Sequence, residues 1–225
     1  MHTHRSRRGM TLIEVVVASA VFSIVLLALA GVVRSSGDTS SLVHAQTAAQ
    51  LRAEDALRIV RDQLRRAGEG GQSDLQVDPA PTAPGAVWEI SYRVLQDGQL
   101  FDPAATDPYA TLPWSADRFV LRFERSEDPA NGLDDDGDLV IDDGHVALYR
   151  RPATGPDQLV AVLAKDLADF RVERQIDVRP RLHLEVEVQK VPHAAVRNIQ
   201  DVTAVRAGGG PRVTHTADIW LTLPN

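Results

Sequence analysis

Arg7-Arg8-Gly9-Met10-Thr11-Leu12-Ile13-Glu14 opens an almost unbroken apolar run that continues to Val33. At about 1.5 Å per residue, Met10–Val33 is long enough to cross the roughly 30 Å hydrocarbon core of a bilayer as a helix. Arg5, Arg7 and Arg8 precede the run, and Arg34 is the only charge directly after it. That asymmetry holds the N-terminus in the cytoplasm and sends the rest of the chain across the membrane.

Glu14 is the residue that hydropathy alone does not explain. An ionised side chain in a membrane helix costs on the order of 2–3 kcal/mol on insertion scales, less near the membrane edge. Such a group needs a partner. Cleavage between Gly9 and Met10 would create an α-amino group one helical turn from Glu14, placing opposite charges at i and i+4. The same pairing between neighbouring molecules would drive assembly within the bilayer. A carboxylate snorkelling to the cytoplasmic headgroups is the plainer alternative. An ordinary secretory signal peptide, cut at Ala18-Ser19-Ala20, is a second alternative. It would carry Glu14 inside its apolar region and leave another dozen apolar residues after the cut. A lipoprotein is excluded, because the chain has no cysteine to acylate.

Gly9-Met10-Thr11-Leu12-Ile13-Glu14-Val15 resembles the processing and methylation site of type IV pilins and of the pseudopilins of type II secretion. The resemblance implies a prepilin peptidase that cuts after Gly9 and N-methylates Met10. It also implies that Glu14, fifth in the mature chain, neutralises the terminal amine of an adjacent subunit. Major pilins usually carry phenylalanine where this chain has Met10, which favours a minor subunit. Some tip-capping pseudopilins lack the acid, so Glu14 implies a neighbour above this one. The implied partners are the peptidase, other minor and major pilins or pseudopilins, and the bacterial inner membrane. The implied route runs from a single pass with the head in the periplasm to a pilus or pseudopilus.

Behind the span, Ser35-Ser36-Gly37-Asp38-Thr39-Ser40-Ser41 weakens the helix without ending it. Leu42, Ala45, Ala49, Ala53, Leu57, Val60 and Leu64 then recur at spacings of three and four, one apolar face of a continuing helix. Gly68-Glu69-Gly70-Gly71 supplies the stop. The expected organisation is a leader over 1–9, a helix over 10–66 whose transmembrane half is 10–33, and a β-rich head over 67–225. Such a helix is roughly 85 Å long.

From Val87 the pattern changes to short β-like runs: Val87–Leu95, Arg118–Glu124, His145–Arg150, Leu159–Leu163, Phe170–Arg174, Leu182–Lys190 and Asp218–Leu223. Alternation is clearest in Leu182-His183-Leu184-Glu185-Val186-Glu187-Val188. Pro79-Ala80-Pro81, Pro103–Pro113 and Gly208-Gly209-Gly210-Pro211 read as loops. One long helix followed by an antiparallel sheet is an α+β arrangement and the order that a pilin-like fold requires. Lys165–Val172 looks like the lead into the central strand of PilW-type minor pilins and J-type minor pseudopilins, and Thr214–Asn225 is similar to their last strand.

Asn131-Gly132-Leu133-Asp134-Asp135-Asp136-Gly137-Asp138-Leu139-Val140-Ile141-Asp142-Asp143-Gly144 is the only ligand-rich segment. Asp134, Asp136 and Asp138 alternate, as hard oxygen coordination of calcium requires, and Asn131, Asp142 and the Val140 carbonyl add oxygens. The loop departs from an EF-hand: counting from Asp134, Leu139 takes the sixth position in place of glycine, and His145 takes the twelfth in place of glutamate. It is more similar to the acidic loops of extracellular calcium-binding repeats. A solvated acidic turn is the alternative.

Other chemistries lack their residues. No Gly-x-Ser-x-Gly elbow, phosphate-binding loop or His-Glu-x-x-His is present, and the histidines show no metal spacing. Trp88, Trp114 and Trp220 are expected to pack in or between elements. The net charge of −7 becomes −10 once a leader with three arginines and no acid is removed, which excludes non-specific nucleic-acid binding. Two functions follow: a structural minor pilin or pseudopilin without enzymatic activity, or a membrane-tethered calcium- or ligand-binding module that never polymerises.

Overall fold

The computed structural model describes residues 10–68, 75–77, 88–94, 114–126, 132–134, 139–140, 143–176, 180–196 and 199–222. One helix, α1 (Leu12–Arg65), runs through the membrane-length segment and on into the head, and a 3₁₀ turn at Arg66–Gly68 ends it. Its 54 residues span about 80 Å. The two halves differ in what covers them. Every residue from Met10 to Ser40 is exposed, whereas Ala45, Ala49, Ala53, Ala56, Leu57, Val60 and Leu64 are buried. The expected stripe is therefore present with one correction: Leu42 remains 41% exposed. Beside it, the 3₁₀ turn His193–Ala195 meets the helix, where the Ala194 amide donates to Ser41 Oγ at 2.8 Å.

Among the described residues the head holds eight strands in two antiparallel sheets, where the sequence suggested one. β1 (Gln76–Val77), β2 (Trp88–Tyr92), β3 (Arg118–Arg125), β4 (Gly144–Arg151) and β5 (Gln158–Leu167) form the first, in that order. β6 (Asp169–Ile176), β7 (Pro180–Lys190) and β8 (Val213–Thr222) form the second, with β7 in the centre. A short helix, α2 (Ile199–Arg206), which sequence periodicity did not indicate, joins β7 to β8. β8 also begins five residues earlier than expected.

β5 and β6 are one extended run bent at Asp166–Ala168, and this bend joins the sheets. Asp166 has φ +53°, costly for a residue with a side chain but tolerated best by Asp and Asn. The Ala168 amide continues the second sheet by donating to the Glu187 carbonyl at 2.9 Å. Arg52 of α1 pairs with the Asp166 carboxylate, so the bend is tied to the helix.

A single core lies between helix and sheets. Ile90, Tyr92, Leu121, Phe123, Val146 and Leu148 enter it from the first sheet, and Phe170, Leu182, Leu184, Val186 and Val188 from the second. Four buried alanines on α1 let its backbone sit close over β7 and β8. Burial pushes the Tyr92 phenol up to about 12, with Arg66 pulling the other way, so the ring enters the core neutral.

The other face of the first sheet carries a charged lattice. Arg122 donates to Glu89 and to Asp157 (2.9 Å), and Arg151 donates to Asp157 through Nε and Nη2 (both 2.8 Å) and to Glu89 (3.0 Å). Tyr149 donates to Glu124 at 2.8 Å while Arg122 lies 4.9 Å over its ring. Two arginines shared by two carboxylates fasten the β4–β5 connection to β2 and β3. The Arg151 guanidinium, assisted by Arg122, holds the Asp157 carboxyl below its ordinary value of 3.8. A depressed native value means that this stabilisation is present above about pH 4 and is lost as pH falls through the native pKa. Asp157→Asn is expected to lower Tm at pH 7 by about 2–4 °C, for about 1 kcal/mol of charge-assisted bonding. The gap from wild type should narrow as pH falls below the ordinary value of 3.8, and a gap that stays equal at every pH would show that ionisation plays no part.

Candidate functional site

The start of α1 is built by its own sequence. Thr11 is the N-cap, with extended backbone at φ −78° and ψ 151°. Its Oγ1 accepts from the Glu14 amide at 3.3 Å, and Glu14 Oε2 accepts from the Thr11 amide at 2.9 Å and from Thr11 Oγ1 at 3.0 Å. This reciprocal arrangement is a capping box: each side chain satisfies an amide that the first helical turn leaves without a partner. The carboxylate also sits where the helix dipole favours negative charge. Sequence reasoning missed Thr11, although Thr-x-x-Glu ahead of an apolar run is the pattern that announces such a cap.

Consequences for the processing residues follow directly. The helix begins at Leu12, so the Gly9–Met10 bond falls before the first helical residue. Gly9 lies outside the described residues. Met10 is exposed and carries no helical hydrogen-bonding role. Both bonds accepted by the Glu14 carboxylate use Oε2, and among the described residues none is made to Oε1. Ile13, Val17, Val21, Phe22 and Val25 border Glu14 in an open apolar hollow along one flank of α1. Glu14 thus stands beside an exposed apolar flank of α1.

The expected metal loop is only partly visible. Asn131, Asp136, Asp138 and Asp142 lie outside the described residues. Asp134 is buried; its Oδ2 accepts from the Leu139 amide at 3.1 Å and stands 3.5 Å from Arg206 Nε, and its amide donates to the Arg206 carbonyl at 3.0 Å. The loop is thus fixed at one end to the last turn of α2. At the other end the buried Asp143 accepts from the Ser126 amide through its carbonyl at 3.0 Å. Gly144 follows, where a Cβ would come within 2.5 Å of the Glu124 carbonyl and 2.7 Å of the Phe123 ring. Leu139 has φ +72°, the backbone that its sixth position in the loop calls for and that glycine usually supplies. Among the described residues no group of three or more His, Asp or Glu side chains is placed to hold a metal ion.

The remaining candidates take ordinary positions. His145 contacts Ser126 Oγ at 3.4 Å and Glu124 Oε2 at 3.5 Å, longer than well-formed hydrogen bonds. Trp114 is half-buried with Arg93 5.9 Å from its ring, while Trp220 is a correction: it lies 49% exposed on the outside of β8.

Residues 4–30 match the model of the prokaryotic N-terminal methylation motif. The chain carries a prepilin-type N-terminus. That motif supports a type IV pilin-like protein, implies processing by prepilin peptidase and pilin assembly, and suggests a structural subunit without enzymatic activity. The α+β architecture, a long N-terminal apolar helix with antiparallel sheets, is consistent with a pilin-like fold. An exposed helix long and apolar enough to cross a membrane is consistent with membrane anchoring. No curated protein and no solved structure matches the chain.

Proposed function

We propose that this protein is a minor pilin or minor pseudopilin: a structural subunit cleaved after Gly9 and built into a type IV pilus or type II secretion pseudopilus, at or near its tip. The observation that carries the proposal is the Thr11–Glu14 arrangement at the head of a wholly exposed apolar helix. The methylation motif supports the cleavage, and Met10 at the first mature position supports a minor role. Once cleaved and methylated, the terminal amine of one subunit would be taken up by Glu14 of its neighbour while the apolar flanks pack.

Capping and intersubunit pairing make different demands on Glu14, and substitution separates them. Thr11→Val removes the capping box but keeps the charge; Glu14→Gln keeps hydrogen-bonding capacity but removes the charge. Both variants are expected to insert and be cleaved. Thr11→Val should enter the sheared fibre fraction at near wild-type level, whereas Glu14→Gln should be at least tenfold depleted. Wild-type incorporation of Glu14→Gln would overturn the charge pairing, and absence of the wild-type protein itself from the fibre fraction would favour a tethered module that does not polymerise.

We further propose that the acidic loop binds calcium through Asn131, Asp134, Asp136, Asp138 and Asp142. Support comes from Asp134 accepting the amide of the sixth loop residue, at which φ is positive, the turn that an oxygen-ligand loop requires. Extracellular modules bind calcium at about 10⁻⁴–10⁻³ M. A tenfold excess over Kd then stabilises by about 1.4 kcal/mol. Tm should rise by about 3–6 °C in millimolar calcium and much less in magnesium. The Asp136→Ala/Asp138→Ala variant, which leaves the bonds of Asp134 in place, should lose the response. No rise in wild type, or an equal rise in the variant, would leave the segment a solvated acidic turn.

A further inference from the structure

β6, β7 and β8 bury one face under α1 and turn the other to solvent. Cross-strand pairing sets the outward pattern. Arg171, Glu185 and Asp218 form one row, and Glu173, His183 and Trp220 form the next. Asp169 and Glu187 extend it on β6 and β7. With Arg181, which lies opposite Thr222 in the row beyond, the face presents five carboxylates against two guanidiniums, and that of Arg171 is already engaged by Asp169 at 2.7 Å and Glu185 at 3.6 Å.

At its centre is a large aromatic held rigid in the open. The Trp220 ring stacks on His183 with centroids 4.5 Å apart and planes 15° off parallel. His183 Nε2 in turn meets Asp218 Oδ2 at 3.1 Å. Stacking on one side, with the stacked ring itself anchored, leaves Trp220 preorganised and half in solvent. Rigid exposed tryptophans are the residues on which protein contacts concentrate. A π face with the carboxylates of Asp218 and Glu185 in the neighbouring row attracts a cation, and a planar guanidinium satisfies both the ring and the acids.

We propose that this face is a docking surface for a protein segment presenting arginine side chains, with Trp220 as the anchor. Charge complementarity selects a basic partner, and the flat π surface selects arginine over lysine. The face lies on the side of the sheet away from α1, so it stays accessible whether or not α1 packs against other subunits, and the proposal is independent of fibre assembly.

The test is fluorescence anisotropy of labelled octa-arginine and octa-lysine peptides on the detergent-solubilised full chain at about 0.1 M salt, near a 10 Å screening length. Octa-arginine should bind at least threefold more tightly than octa-lysine. Trp220→Ala should weaken octa-arginine at least fivefold and abolish the preference, Trp220→Phe should retain part of it, and Glu185→Gln/Glu187→Gln should weaken both peptides. Asp55→Asn/Asp62→Asn, acids on the exposed side of α1, should change neither. Absence of binding overturns the proposal. So does equal binding by wild type, Trp220→Phe and Glu185→Gln/Glu187→Gln, which would mark general attraction to an acidic chain.

Discussion

Among the described residues the first half of α1 has no partner outside itself, and the rest of the structure is arranged around that fact. Fifteen large apolar side chains between Met10 and Val33 stand exposed. At about 1.5 kcal/mol or more each, their burial is worth upwards of about 20 kcal/mol. That exceeds the roughly 5–15 kcal/mol by which a folded domain is stable. The cost of lodging Glu14 at a membrane edge is an order of magnitude smaller. A chain with this helix in water is therefore not a resting state; lipid or the flanks of neighbouring helices must cover it.

The second half of α1 solves a different problem. Its buried positions are mostly alanine, which brings the helix backbone close over β7 and β8, and Arg52 ties it to the bend where one sheet passes into the other. Because Asp166 pays in backbone strain for its position, the link between helix and head is specified by geometry rather than by apolar area alone. A continuous helix fixed to a rigid head in this way transmits the position of Glu14 and Met10 to the head, which is what a subunit in an ordered fibre requires.

Periodicity made the helix legible, because its buried stripe recurs at three and four and its membrane half is apolar all round. It overran at Leu42, which stays 41% exposed. β7 was plain from strict alternation; the start of β8 was not, because after Val213 its next inward positions are His215 and Ala217. α2, with eight residues and little apolar surface, is too short to show a period. Two sheets looked like one because the bend at Asp166–Ala168 carries no glycine or proline to mark it. Trp220 was misplaced by residue type: alternation along β8 turns it outward whatever its hydrophobicity. At the site, Glu14 stood out as a charge in an apolar run, whereas its partner Thr11 did not, since a threonine at such a boundary attracts notice only when paired with the acid three residues on. The acidic loop announced its composition, but docking of Asp134 against Arg206 depends on a helix that the sequence did not reveal.

In the proposed function, cleavage at the Gly9–Met10 bond underlies every later step, since it would create the cation that Glu14 is proposed to receive. Intact-mass measurement of the protein extracted from native membranes reads this directly. A mature chain beginning at Met10 and carrying one added methyl group is the expected result. A chain beginning at Val21, or one retaining residues 1–9, would contradict the account.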